Sequence, residues 1–576
     1  MRRSVYWFAA FTAVFAVCAA FALWGTWSLD FVPVMPDCNT NFRDWSSSVE
    51  GFFRNWITTG KFVPDDLKVF IASPLVWVEL QYVLAAYLAA LGMAYFLKGK
   101  GLSEIASYGA GLFLAFSGYW FTLFSAGHLG WFRWMTYGVF AFGLIDRALP
   151  LSTSTSSLHL RHWTLLGACV AWGSFYQPDL WLLFTVFTGV YFVFRAWRFV
   201  TAKKTDDVKG VLIGLLKGVA IAGAVFVLIG LPSFYSAFVV DLAGRDKQIE
   251  ESGVKSKGEK VKSDKDNEER WIFVTNWSLP PSEVAEAMFP RINGDTSCVL
   301  TQALGTKAGT GVRPYTGAIG RPLNAPSGNY RQHSLYIGFV TCLFALFAVF
   351  TLVKKLPFST STSNLKLEIV FFAISALVFF AFACGRYFEP VYRLVYMLPF
   401  GDYLRAPVKW YHLFEFCVVV LAGFGIDAAY EKLKKLNIRN FSFFTFHFSF
   451  AAVAVAVLVL IGVFDIVRVD HKFCAPVDMS SAKAKNAEMQ MTFLPKQQFN
   501  NPQVVQMMQA GLIKSLAYYP GRNDVYLVGI LKPRGPKKDT PMPPWTLPTW
   551  LGLVSAVATF TVLGSLSLKV KSKGER

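Results

Sequence analysis

Two short stretches place ionisable side chains where a long apolar run begins or ends. In GDYLRAPVKWYH, residues 401–412, Asp402, Arg405, Lys409 and His412 lead straight into an apolar segment. Pro407 suits the first turn of a helix, because the N–H it lacks is not needed there. Asp402 and Arg405 then lie just outside the helix and Lys409 about one turn inside. A helix amino terminus flanked by a planar guanidinium and a lysine suits phosphate binding. The bland alternative is an interfacial belt, with Arg and Lys snorkelling to lipid headgroups and Trp410 and Tyr411 anchoring the span. The second stretch, VMPDCNTNFRDW at 34–45, carries Asp37 and Asp44 behind the first apolar run. Seven residues make two helical turns, so in a helix both carboxylates share a face and Arg43 points away. A carboxylate beside a low-dielectric cavity can take the proton of a hydroxyl. The default for a lone aspartate is a solvated side chain paired with Arg43. With no histidine partner, the two carboxylates would suit a hard divalent cation if a metal takes part.

Fewer residues elsewhere have this character. His128 in SAGHLGWFRW occupies a tight turn, where histidine commonly serves as a local hydrogen-bond donor, and Arg133 follows five residues on. In YQPDLW, Gln177 and Asp179 are candidates for a polar rim, with helix capping by Asp179 the favoured alternative.

The elements that must position these groups are set by composition. The 576 residues are 54% hydrophobic and 16% charged, with 55 phenylalanines, and the mean hydropathy is +0.40. That composition specifies an all-α polytopic membrane protein. The net charge of +19 does not mark a nucleic-acid binder, since the cations lie in links and loops without a recognisable motif. Apolar runs lie near 5–27, 72–97, 104–125, 130–148, 162–176, 178–197, 210–239, 334–353, 367–384, 408–429, 447–467 and 548–568, about twelve transmembrane helices. The first is too long for a signal-peptide core and ends in Trp24 and Trp27, as an uncleaved span would.

Arg2 and Arg3 put the amino terminus in the cytoplasm, and the links at 98–101, 146–162, 195–209, 354–366 and 430–439 then face the same way. Nearly all are basic, as is the tail KVKSKGER, so both termini are expected to be cytoplasmic. Loops 28–71, 240–333 and 468–547 face outward, together with every candidate site residue. The charge-mixed run 245–270 reads as a solvated, partly disordered excursion. LPLSTSTS and LPFSTSTS are Ser/Thr-rich linkers rather than a repeat. Cys18, Cys169, Cys342 and Cys417 read as small buried hydrophobes. Cys38, Cys298 and Cys474 fall in loops where one disulfide can form in an oxidising compartment.

The order of FLAFSGYWFTLFSAGH, FYQPDLWLLF, NWSLPPSEVAEAMFPRINGD, SLYIG and CGRYFEPVYRLVYMLPFGDYLRAPVKW resembles the YfhO-like bacterial membrane proteins of the GT-C glycosyltransferase superfamily. The resemblance covers roughly residues 1–430, a GT-C-like core, and leaves 431–576 as a C-terminal part with two spans and the unmatched loop 468–547. It implies a cytoplasmic-membrane enzyme that moves a sugar from a polyprenyl-phosphate donor to an envelope glycan, lipid or protein on the outer face. It also implies Asp37, less directly Asp44, as catalytic base, with Arg405 and Lys409 on the donor phosphate. His128 and Arg133 are further candidates there, and Gln177, Asp179 and Asp402 form the substrate rim. The opening motif departs from the family in lacking a contiguous acidic pair. One base and no second, nucleophilic carboxylate should invert the anomeric centre. Two other classes compete. A flippase of a lipid-linked intermediate predicts charges inside spans and inverted repeats, and the central spans read as nearly charge-free. A non-catalytic envelope assembly protein would depend on loop 468–547 instead.

Overall fold

The structure, a computed structural model, describes residues 2–24, 31–33, 48–61, 74–126, 129–151, 160–202, 208–236, 264–294, 315–319, 334–354, 362–398, 401, 404–436, 441–443, 446–448, 450–471, 476–478, 487–518, 525–533 and 544–574. In chain order the first half holds α1 (Arg2–Ala22), β1 (Phe31–Pro33), α2 (Ser48–Thr59), α3 (Pro74–Gly99), α4 (Glu104–Phe116), α5 (Gly118–Ala126), α6 (Leu129–Ala148), α7 (Leu160–Gly173), α8 (Pro178–Ala202), α9 (Val208–Tyr235) and α10 (Asp264–Val274). The second half holds α11 (Phe339–Lys354), α12 (Thr362–Ala383), α13 (Glu389–Met397), α14 (Tyr411–Lys435), β2 (Phe441–Phe443), β3 (Phe446–Phe448), α15 (Phe450–Asp470), β4 (Pro476–Asp478), β5 (Ala487–Pro495), α16 (Pro502–Gln509), β6 (Ile513–Tyr518), β7 (Val525–Pro533) and α17 (Leu547–Gly574).

Among the described residues, eight helices are long and apolar enough to cross a membrane: α1, α3, α8, α9, α12, α14 with the turn before it, α15 and α17. This is the polytopic all-helical character expected from composition. The other four expected spans are helical but fall short for visible reasons. α7 and α11, at 14 and 16 residues, would reach about 21 and 24 Å against a hydrocarbon core of about 30 Å. α6 carries Arg133, Asp146 and Arg147. The run expected at 104–125 is broken at Ser117 into α4 and α5.

The chain divides into two compact units. The first comprises Met1–Trp45, Val78–Phe132 and Glu268–Lys538. At its centre, α14 packs on α4, α11, α12 and α15. Apolar on nearly all sides, it is buried almost without interruption from Tyr411 to Ala428, as an all-round hydrophobic helix must be. Small residues let backbones approach: a Cβ at Gly425 would stand 1.9 Å from the Phe344 carbonyl oxygen on α11. Gly425→Leu is therefore expected to cost about 1–3 kcal/mol or more, read as a lowered melting temperature in detergent.

One rim of this unit satisfies its charges locally. Lys100 pairs with Glu368 at 2.8 Å, both buried, and Asp427 accepts the Ser103 N–H at 2.8 Å. Within the expected loop 468–547, β5, β7 and β6 form an antiparallel sheet over a small core of Leu494, Ile513 and Val528, closed by α16. Asn501 caps α16 through its side chain, with Pro502 at the first helical position. β1 pairs antiparallel with β4, Pro33 opposite Pro476, so the segment behind the first span is tied to the one behind α15. The end of the charge-mixed run 245–270 is helical, because α10 begins at Asp264.

The second unit comprises Ser46–Trp77, Arg133–Asn267 and Asp539–Arg576. α7 packs along α9, and α17 along α9 and α2, so part of the expected loop 28–71 is a helix docked on the last apolar helix. Thr549 donates to the Ile57 carbonyl at 2.5 Å across that contact. Asp146 and Arg195 form a buried pair at 2.8 Å between α6 and α8, and the Tyr191 hydroxyl donates to the same carboxylate. Cys169, Cys342 and Cys417 are buried free thiols as expected, joined by Cys384, while Cys18 is half-buried. Cys38, Cys298 and Cys474 lie outside the described residues.

Candidate functional site

Arg405 sits on a strained joint of the first unit. Trp277 (φ 65°) and Ala406 (φ 66°) are both left-handed, although neither is glycine. Each costs on the order of 1–3 kcal/mol and persists only where surrounding bonds over-determine it. Those bonds are present: the Ala406 N–H donates to the Val274 carbonyl at 3.2 Å, and the Val408 N–H to the Trp277 carbonyl at 3.0 Å. Arg386 clamps the same turn, its guanidinium donating to the Thr275 carbonyl at 3.0 and 2.8 Å and to Asn276 Oδ1 at 2.9 Å. Burial lowers the pKa of Arg386 from its ordinary value. The result is an exposed Arg405 with its guanidinium 5.2 Å from the centre of the Phe273 ring. Among the described residues it makes no ion pair.

The helix start that follows is less open than expected. Pro407 is at the first position of a 3-10 turn, Pro407–Trp410, which runs into α14. The amides of Val408 and Lys409 already donate to the Trp277 and Ala406 carbonyls. An anion here would meet the Arg405 side chain rather than a free set of helix amides, which corrects the simple helix-terminus reading. Lys409 is half-buried in that turn.

About two turns further along α14 lies a polar cluster that sequence reasoning passed over. Glu415 is fully buried, and its Oε1 accepts the Ser117 hydroxyl and, at 3.1 Å, the Tyr119 N–H. The Gly118 N–H donates to the Tyr336 carbonyl at 2.8 Å. The break between α4 and α5 thus has its freed amides met from α14 and from the segment before α11. Buried irregular backbone at membrane depth requires this. His412 packs between Tyr119 and Trp120, with ring centroids 4.2 and 4.1 Å away, and its Nδ1 is 4.0 Å from Glu415 Oε2. Asp470, the last residue of α15, is also fully buried. Among the described residues, neither of its oxygens, nor Glu415 Oε2, has a hydrogen-bond partner. Asp470 lies within electrostatic reach of Glu415, at a helix end that disfavours negative charge. Two buried carboxylates so placed suit the carriage of a proton. Nearby, the Tyr336 hydroxyl donates to Asp465.

These groups correct the impression of charge-free central spans. The available signal was Glu415 itself, a carboxylate inside an apolar run, which in a membrane is a functional-site hypothesis by default. Of the residues singled out from sequence, Asp37, Asp44, His128 and Asp402 lie outside the described residues. Arg133 falls in α6 of the second unit. Gln177 and Asp179 are in the second unit too, whereas Arg405 and Lys409 are in the first. The Gln177 carbonyl accepts the Trp181 N–H at 2.9 Å and the Asp179 carboxylate the Leu180 N–H at 2.9 Å, so both serve the start of α8. Among the described residues, no group of three His, Cys, Asp or Glu side chains could hold a metal ion. Comparison with protein-family models, with curated proteins and with solved structures gives no match.

Proposed function

We propose that the chain is a GT-C-type glycosyltransferase of about twelve spans in the bacterial cytoplasmic membrane. It moves a sugar from a polyprenyl-phosphate donor to an envelope acceptor on the outer face, with inversion. The observation that carries this reading is Arg405, an exposed guanidinium without a carboxylate partner among the described residues, stationed by strained backbone at the head of a 29-residue apolar helix. A lipid phosphate leaving group gains charge as the glycosidic bond breaks, and a fixed guanidinium at that position would stabilise it, with Lys409 assisting. The test is transfer from a labelled lipid-linked sugar in proteoliposomes. Arg405→Ala is expected to lower transfer by about 100-fold and Arg405→Lys by less, because the lysine keeps the charge but loses the fork. Unchanged transfer in Arg405→Ala removes the assignment.

The broken helix α4–α5 and the carboxylates Glu415 and Asp470 favour a second reading, a transporter of a lipid-linked intermediate. Discontinuous helices and buried acids mark ion-coupled transport sites. Passage of the labelled donor across the bilayer without sugar transfer selects that reading.

A further inference from the structure

In the second unit, α7, α9 and α17 enclose a groove of about 770 Å³, within the usual range for a ligand site. Its walls are hydrocarbon, including Leu165, Val225, Leu228, Val557 and Val562. Leu228 and Val557 are about half exposed, at 46% and 59%, so the groove is open along its side. The two hydroxyls in the lining are spent within their own helices: Thr164 donates to the Leu160 carbonyl at 3.0 Å and Thr561 to the Val557 carbonyl at 2.8 Å.

Among the described residues, one charged side chain lines the groove. Arg161, in the first turn of α7, is exposed and has no ion-pair or hydrogen-bond partner among the described residues. The other end is far away. Trp172 donates to Thr559 at 3.1 Å and Ser555 to the Ile229 carbonyl at 2.6 Å, which sets α17 antiparallel to α7 and α9. From Arg161 to the level of Trp172, and on along α17 to Leu553, is about 25 Å at the helical rise. That length is most of a bilayer's hydrocarbon thickness of about 30 Å.

We infer that this groove binds an anionic glycerophospholipid, its phosphate on Arg161 and its acyl chains along α7, α9 and α17. A long apolar trough with one uncompensated cation at its end matches a molecule with a long hydrocarbon part and one negative head. A zwitterionic lipid brings its own cation next to Arg161, and an apolar helix would leave Arg161 unmet. The site is independent of the reading of Arg405.

The full chain in nanodiscs of equal phosphatidylglycerol and phosphatidylcholine, released and weighed by native mass spectrometry, tests this. The wild type is expected to retain phosphatidylglycerol about fivefold over phosphatidylcholine. Arg161→Gln should bring the ratio to parity, and Val557→Trp, which fills the trough, should lower retention of both lipids. Equal retention of the two lipids by the wild type, an unchanged preference in Arg161→Gln, or undiminished retention in Val557→Trp each overturns the assignment.

Discussion

Asp37→Asn is expected to lower sugar transfer by at least about 100-fold while leaving membrane insertion and folding unchanged. Asparagine keeps the size of the side chain and its ability to accept a hydrogen bond, but it cannot take a proton. In the proposed reaction the acceptor hydroxyl gives its proton to the Asp37 carboxylate as its oxygen bonds to the anomeric carbon. The bond from that carbon to the phosphate oxygen breaks on the opposite side, and the lipid phosphate departs towards Arg405. One displacement inverts the anomeric centre, so product anomer and rate are separate readouts of one mechanism. The ladder of β1 and β4 holds the chain four residues before Asp37 to the segment after α15. Asp44→Asn should lower transfer less than Asp37→Asn. Full activity in Asp37→Asn with an inactive Asp44→Asn would move the base to Asp44, and full activity in both would sink the acid–base mechanism.

What could be read ahead of the structure followed from local physics. Apolar runs of about twenty residues gave α1, α3, α8, α9, α12, α14, α15 and α17, because a span is written in one continuous stretch. Pro407 marked the start of its helix for the same reason. The features around the candidate sites depend on partners remote in the chain. Nothing in LAFSGYWF announces a break at Ser117, since Ser and Gly both occur inside membrane helices. The break is held by Glu415, 298 positions away. Nor does any local rule make Ala406 and Trp277 left-handed. Alanine and tryptophan carry a Cβ that opposes it, and the backbone bonds between their two segments impose it. The ladder of β1 with β4 is three residues long and joins the two ends of the unit, too short to leave a period-two pattern. The flat charge count of the apolar runs concealed Asp470 as well, because a carboxylate at the end of a span looks like an ordinary loop residue until its burial is known.

Glu415→Ala should be the most destabilising single truncation in the first unit, by about 2–4 kcal/mol in a denaturant titration in detergent, while Glu415→Gln should stay within about 1 kcal/mol of wild type. The alanine leaves the Ser117 hydroxyl and the Tyr119 amide buried without their acceptor, at a break in a helix enclosed by protein. Glutamine keeps a carbonyl oxygen where Oε1 stands and replaces only the second oxygen, which has no hydrogen bond among the described residues, so loss and gain nearly offset. Ser117→Ala provides the scale, because it removes one of the donors and leaves the Tyr119 bond. If alanine and glutamine were equally damaging, the negative charge rather than hydrogen-bond acceptance would be what the fold needs. If both were as stable as wild type, the break would not depend on α14 at all. A Glu415→Gln protein that folds normally yet has lost activity separates the two roles of the side chain. Its oxygen then holds α5 in place and its charge works with Asp470, the pairing that the transporter reading requires and the transferase reading does not.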